Sequence, residues 1–349
     1  MKNLLVYYDP DLTTQHEDIP VPEYGPNEIL IKVVVAGSNP KDWKHPMPNY
    51  FNIKVNQGDD AAGIVEAVGS EVTNFRPGDR VAGFHVMDTP RGTYAEYTVC
   101  PEQTVFHIPE SLSFEEAATI PLAAYTAAVG LYRNLQLPLP FERADEKSGV
   151  AKTPLIINGA SSAVGSFALQ FALMNPSIGP IVVTAGKSAE HAKQLGADII
   201  VDYRSPTISD DFSAALGGKK VHHVFDASNT LQSVKYLTPW LDPAGRYTCT
   251  TGLKKPEGDE SVELKKWGGW FEQIWVGSVH DDNPAGGKLF GGVVSRILEV
   301  ALKQGTFKPQ PYEVIEGGLA GVLDALKRLR DRKGGNEKFV YRIAETPGL

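Results

Sequence analysis

A chain of 349 residues exceeds what one compact core usually supports, so two domains are expected. Hydrophobic residues at 42% and charged residues at 22% are ordinary for a soluble globular protein, and a net charge of −8 argues against nucleic acid or an anionic membrane as partner. Cys100 and Cys249 stand alone, which excludes a disulfide framework and metal-ligand spacing and fits a reducing, cytoplasmic setting.

The first eight residues read as a strand with no long apolar segment behind them, so neither a secretory signal nor a membrane span is expected there. Residues 28–36, 63–68, 79–83 and 94–99 are short β-like runs punctuated by Gly and Pro, and they predict a small β-rich barrel up to about residue 121. Residues 134–153 are long, polar and Pro-containing, and read as a surface loop or linker. A buried strand follows over 155–158, then a turn of very small residues and an apolar helix through 173. A second strand is expected over 180–184, a helix over 188–195 stopped by Gly196, and a third strand over 198–203. Strand and helix keep alternating to about residue 305, and the tail from 309 ends in a helix over 319–332 and a strand over 338–343. The basic run 327–333 lies on that helix and reads as a solvated face, and no internal repeat is present. The expected division is 1–122 with 309–349 as one domain, the tail folding back on the first part, and 123–308 as the other.

The turn between the first strand and helix of the second domain carries the most chemistry. In place of G-x-G-x-x-G it has Ala160-x-Ser162-x-x-Gly165. Small side chains let backbone N–H groups approach a dinucleotide pyrophosphate at a helix start, and Ser161 and Ser162 add hydroxyl donors. Turns of this composition are also common without a ligand, so the motif by itself leaves both readings open. The βαβαβ order that follows predicts a parallel, doubly wound sheet. A site for NAD carries an acid after the second strand to bond the ribose hydroxyls. Here that stretch is Ala185-Gly186-Lys187-Ser188, with a lysine and no carboxylate, which favours NADPH. Tyr203 and Arg204, at the end of the third strand, lie on the same carboxyl edge and could flank the adenine or its phosphate. The alternative for Lys187, weighed below the cofactor contact, is a solvated surface lysine.

Gly58-Asp59-Asp60-Ala61-Ala62-Gly63, the series Val72, Phe75, Pro77-Gly78-Asp79-Arg80-Val81, and Gly92-Thr93-Tyr94-Ala95-Glu96-Tyr97 form a spaced set. With the small-residue turn, Leu195-Gly196-Ala197-Asp198 and Asn336-Glu337-Lys338-Phe339-Val340, they resemble the medium-chain dehydrogenase/reductase superfamily over nearly the whole chain. The resemblance implies an α/β fold, a β-rich GroES-like catalytic domain beside a Rossmann domain with a doubly wound parallel sheet. Zinc-dependent members carry a cysteine after the early strand, a His-Glu pair after a glycine and a lobe of four cysteines. This chain has Ser38-Asn39-Pro40-Lys41-Asp42-Trp43-Lys44 and Asp59-Asp60 at those places and no such lobe, so no metal is expected, His45 and His85 notwithstanding. The loop Asn39-Pro40-x-Asp42-x-Lys44 is similar to that of the zinc-free quinone oxidoreductases and enoyl reductases, and to fungal trans-acting enoyl reductases of polyketide pathways.

That resemblance implies cofactor contacts at Lys44, Ser161, Ser162, Ala163, Val164, Lys187, Ser188 and Tyr203, and it places Thr126 on the helix under the nicotinamide. Without zinc, hydride would go to an already electrophilic carbon, the β-carbon of an enone, enal or enoyl thioester, or to a quinone. Asn39, Lys44 and Tyr50 are the candidate donors to the developing enolate, with Tyr50 or water as proton source. Asp42 is expected to orient Lys44, and Lys41 to face solvent. Trp267, Trp270, Phe271 and Trp275 either line an apolar acceptor pocket or belong to core or interface. The partners expected are an apolar unsaturated carbonyl or quinone and, for a trans-acting enoyl reductase, a carrier protein. The chain itself would be a monomer or homodimer. A non-catalytic NADPH-binding protein is the alternative from another class.

Overall fold

From Glu28 to Gly37 the chain is almost continuously apolar, and the strand it forms is buried everywhere but at Lys32, with Glu28 and Val34 half-buried. That strand is the centre of the first of two units. The computed structural model describes residues 1–142, 152–250, 260–282, 286–333 and 335–349. One unit comprises residues 1–122 and 277–349, the other 123–276.

The first unit opens with an antiparallel ribbon of β1 (Lys2–Tyr8) and β2 (Leu12–Asp18). The central strand is β3 (Glu28–Gly37), followed by the one-turn helix α1 (Lys41–Lys44), β4 (Asp60–Val68), β5 (Arg80–Phe84), β6 (Tyr97–Pro101) and β7 (Val105–His107). Helix α2 (Phe114–Ala117) starts at a capping box in which the Ser113 hydroxyl accepts from the Glu116 N–H. β3 pairs antiparallel with β4 along one edge, and its other edge is shared by β6 and the chain's last strand.

The second unit contains most of α3 (Pro121–Ala128), then β8 (Thr153–Asn158), α4 (Ala163–Leu173), β9 (Ile178–Ala185), α5 (Ala189–Gln194), β10 (Ile199–Asp202), α6 (Ile208–Leu216), β11 (Val221–Asp226), α7 (Leu231–Leu237), β12 (Leu241–Cys249), α8 (Glu260–Trp267) and β13 (Trp270–Gln273). Among the described residues its six strands are all parallel, in the order β10-β9-β8-β11-β12-β13. The order reverses between β8 and β11, and in such sheets the crevice beyond the strands' carboxyl ends at that point is where ligands bind. The predicted parallel sheet is thus present. Val182, Val201, Val224 and Tyr247 form its core with Phe212 of α6 and Leu237 of α7.

The chain then returns to the first unit with α9 (Gly287–Lys303), β14 (Tyr312–Val314), α10 (Val322–Arg330) and β15 (Lys338–Arg342). This moves the expected boundary at residue 308 back to 276. The reason is contact: the Ser295 hydroxyl donates to Gln103 O at 2.7 Å, and Glu299 pairs with His107 of β7. Within the expected loop 134–153, the first residues are packed. Residues 129–134 continue α3 as a π-turn, Asn134 Nδ2 donates to Thr248 Oγ1 at 2.9 Å, and Leu135 and Leu137 are buried. Residues 143–151 lie outside the described residues. The basic run on α10 is more than a solvated face, since Arg328 forks onto Glu313 and Arg330 reaches Asp11 at 2.7 Å.

Two half-buried histidines give the fold a pH dependence. Burial foremost holds His223 of β11 and His280 of the first unit down to about 4, with His222 adding to the effect on the one and His85 on the other. An unfolded histidine titrates near 6.5, so between pH 4 and 6.5 the unfolded chain binds more protons than the folded one. The two histidines therefore contribute stability that rises with pH through that window and levels off above it, outweighing the single opposing contribution of Asp42, whose carboxyl is raised. Urea midpoints at pH 5 and 7.5 should differ, and His223→Gln should remove part of the difference. An unchanged difference in that variant would refute the assignment.

Candidate functional site

The small-residue turn after β8 leads directly into a capped helix start. Ser162 is the N-cap of α4, its hydroxyl accepting from Gly165 N at 3.1 Å and donating to Gly159 O at 2.8 Å. That leaves the first N–H groups of an eleven-residue helix directed out of its N-terminus, where an anion is favoured. Gly165 is required by close approach: a Cβ there would lie 2.2 Å from Gly159 O. The turn also holds the next crossover, because Ser161 Oγ donates to Ser188 O at 3.1 Å. Tyr203, half-exposed, lies with its ring against Gly186, where a Cβ would come within 2.7 Å of it. Ser161, Ser162, Ala163, Val164, Ser188 and Tyr203 are thus brought to one edge of the sheet with exposed Lys187. The guanidinium of Arg204 is forked onto Asp202, at 2.9 and 2.6 Å, rather than held toward a ligand. Thr126 is buried in α3.

Beneath the turn lies a polar network that the sequence did not disclose. Asp226, fully buried at the end of β11, accepts from Asn158 Nδ2 at 2.7 Å, from the backbone N–H groups of Ser228 and Asn229, from the Ser233 hydroxyl and from the Tyr247 hydroxyl. Asn158 Oδ1 in turn accepts from Tyr236 and from Thr184, whose oxygen receives Gly159 N at 2.9 Å. One carboxylate thereby ties together the ends of β8, β9, β11 and β12. An aspartate closing the apolar run Val224-Phe225 ahead of Ala227-Ser228-Asn229 was the available signal.

In the first unit, the loop after β3 is organised by three buried carboxylates and two ammonium groups. Asp60 takes the Lys338 ammonium, Asn39 Nδ2 at 2.7 Å and Leu122 N at 2.6 Å. Asn39 Oδ1 also accepts from Lys338 at 3.3 Å. The candidate donor Asn39 is 4% exposed and is committed to this anchor, so its amide serves the loop. Asp42, the expected partner of Lys44, is paired with Lys41 at 3.4 Å and receives Tyr94 Oη at 2.6 Å and Asn39 N at 2.8 Å. Burial, with the Asp59 charge adding to it, pushes its carboxyl up to about 7, against the opposing pull of Lys41.

Lys41 does not face solvent. Its ammonium pairs with Asp59, and although burial works against its charge, Asp59, Asp42 and Asp88 outweigh burial and hold it above the ordinary lysine value. Asp59, despite its burial, is held below the ordinary value by Lys41 and His85. Lys44 is half-buried, its ammonium 5.6 Å from the centre of the Trp43 ring, and Tyr50 is 44% exposed just beyond α1. The Asp59-Asp60 doublet at the start of an apolar strand was the clue to these pairs, since two carboxylates there require two cations.

The aromatic group divides. Trp267 and Phe271 pack on the second unit's core, while Trp270 lies on the edge strand under the Arg246 guanidinium and Trp275 is exposed. His45 pairs with Asp88 at 2.8 Å, and His85 bonds Asp59 and Pro90 O, each at 2.9 Å. Among the described residues no group of three or more His, Cys, Asp and Glu is placed to hold a metal, and no helix is long and apolar enough to cross a membrane.

Residues 25–110 match the family model of the alcohol dehydrogenase GroES-like domain, and residues 163–278 that of the zinc-binding dehydrogenase. A trans-enoyl reductase of Gibberella fujikuroi is 38% identical over 313 residues, covering 87% of this chain and 88% of the relative. One of Aspergillus sclerotiorum is 30% identical over 350 residues, covering 93% and 96%. Among solved structures, a putative zinc-dependent alcohol dehydrogenase of Rhizobium etli superposes with a TM-score of 0.79 at 25% identity, over 100% of this chain and 99% of that one.

Proposed function

The chain belongs to the medium-chain dehydrogenase/reductase superfamily, in the branch that holds the trans-enoyl reductases, and on that premise we propose that it is an NADPH-dependent, zinc-independent reductase of activated C=C bonds. The observation that carries the cofactor is the edge formed by Gly159–Ser162, Gly186–Ser188 and Tyr203. It offers an anion cradle, a lysine and an aromatic face, with no acid after β9. When bound, the cofactor supplies hydride. Ser161, Ser162, Ala163 and Val164 bind its pyrophosphate, Lys187 and Ser188 its 2′-phosphate, and Tyr203 its adenosine face. Lys44 and Thr126 serve the nicotinamide end.

Lys44, whose ammonium has three rotatable donors, holds the ring and the acceptor's carbonyl oxygen in register and stabilises charge as it develops there. Tyr50 Oη delivers the proton to the α-carbon. The acceptor favoured is an enoyl thioester, as the relatives' name trans-enoyl reductase supports; its bearer would be a carrier protein of a polyketide pathway, and the setting cytosolic.

A screen of NADPH oxidation over enoyl thioesters, enones, enals and quinones tests this. Turnover should be highest with an enoyl thioester and unaffected by chelator. No turnover with any acceptor would point to a non-catalytic NADPH-binding protein, and chelator-sensitive turnover would overturn the zinc-free mechanism. Cofactor choice has its own test. Removing a charge-assisted contact to phosphate costs about 1.5–3 kcal/mol, so Lys187→Glu should cut NADPH affinity by about tenfold or more and leave NADH nearly unchanged. Equal affinity of the unsubstituted protein for NADPH and NADH would refute the assignment.

A further inference from the structure

We propose that Lys41 is a positioning residue whose ammonium is the resident cation of an oxygen cage, and that this internal charge sets the loop carrying Asn39 and Lys44. The part of the proposal that concerns turnover rests on the function proposed above, whereas the cage stands on geometry.

Four oxygens surround the ammonium. Asp59 Oδ2 is in ionic contact, Gln57 O lies at 2.7 Å, Gln57 Oε1 at 3.2 Å and Asp42 Oδ1 at 3.4 Å. Both carboxylates and Gln57 are 0% exposed. Each carboxylate is also bound from behind, Asp59 by His85 Nδ1 at 2.9 Å, and Asp42 by Tyr94 Oη and the Asn39 N–H. The cage therefore joins three separate stretches: the loop 39–44, the segment 57–59 entering β4, and His85 just after β5.

The ammonium donates to both Gln57 oxygens and meets Asp59 and Asp42 through charge, so it is held inside the cage and acts through the loop and not on the reacting atoms. A point-like ammonium suits four oxygens arranged around one position, which the planar fork of arginine does not. Without the cation, Asp42 and Asp59 are two buried carboxyl groups beside one position, relieved by protonation of Asp42 or by movement of the loop, and either course ends the tie between loop and segment 57–59 that the ammonium supplies. Lys44 ends the single turn that Lys41 begins, so any such movement displaces it.

The test uses the full-length chain. Lys41→Ala retains the Cβ and removes a fragment equivalent to n-propylammonium. Its melting temperature should rise with added propylammonium, whereas that of the unsubstituted protein should not. This readout needs no acceptor, so it decides the cage even if the protein reduces nothing in the screen. With an acceptor in hand, displacement of the loop by about an ångström should lower kcat of Lys41→Met and Lys41→Ala by about a hundredfold. Propylammonium should restore turnover to Lys41→Ala and none to Lys44→Ala. Should Lys41→Met not fold, Lys41→Met/Asp59→Asn removes both charges and should fold while remaining slow. Absence of a propylammonium-dependent melting shift in Lys41→Ala overturns the cage. Turnover of Lys41→Met or of the double variant within about threefold of the unsubstituted enzyme, a change too small for a displaced loop, overturns the positioning role.

Discussion

Lys338→Met should destabilise the protein by about 3–5 kcal/mol, the cost of leaving a buried charge without its partner. Lys338 is 6% exposed and its ammonium contacts Asp60, which is 0% exposed, while also donating to Asn39 Oδ1 and Thr119 O, each at 3.3 Å. Methionine keeps the length of the stem but supplies no charge, so the Asp60 carboxylate retains only the Asn39 amide and the Leu122 N–H. Asp60→Asn in the same chain should recover most of the loss, because the amide carries no charge, its oxygen still accepts from Leu122 N, and its NH2 donates to the Asn39 amide oxygen that Lys338 has released, once the Asn39 amide turns over. Urea unfolding of the single and double variants measures this. A loss below about 1 kcal/mol in Lys338→Met, the range of an exposed pair, would show that the pair is solvated.

Gly165→Ala should cost about 3 kcal/mol, the upper part of the range for overpacking a rigid site, and lower dinucleotide affinity by about tenfold or more. The offending atom is the Cβ itself, 2.2 Å from Gly159 O and 3.1 Å from Ala160 Cα, so no side-chain rotation relieves it. Relief comes only from opening the turn, which pulls Ser162 off its N-cap position and turns the helix N–H groups away from an anion. Calorimetric titration with the dinucleotide and a thermal melt read the two effects together. Unchanged affinity in Gly165→Ala would mean that the turn is not where phosphate binds.

Local features were legible in the sequence because neighbouring residues determine them. The strands over 180–184 and 198–203 and the helix between them form as expected, within one or two residues at each end. Ser162 caps its helix, as a Ser-x-x-Gly turn before an apolar run suggests. The terminal helix was less exact, its first turn being a 3₁₀ segment at Gly318–Gly321, because glycines on both sides weaken the helix start.

The chain by itself determined the two-part architecture, the parallel sheet, the small-residue cradle and the lack of an acid after the second strand of that sheet. Each follows from hydrophobic period, turn chemistry or residue type within a few positions. Only the tertiary structure decided which charges meet. The sequence holds 34 Lys and Arg against 42 Asp and Glu, and nothing local says that Lys338 belongs to Asp60, 278 positions away, or that Lys41 belongs to Asp59 instead of solvent. The same holds for Asp226, whose donors come from β8, β12 and the turn after β11, and for α9, which joins the first unit through Gln103 and His107. A buried charge is tolerated only where another part of the fold supplies its counter-charge and donors, and that condition is set by packing between segments far apart in the chain.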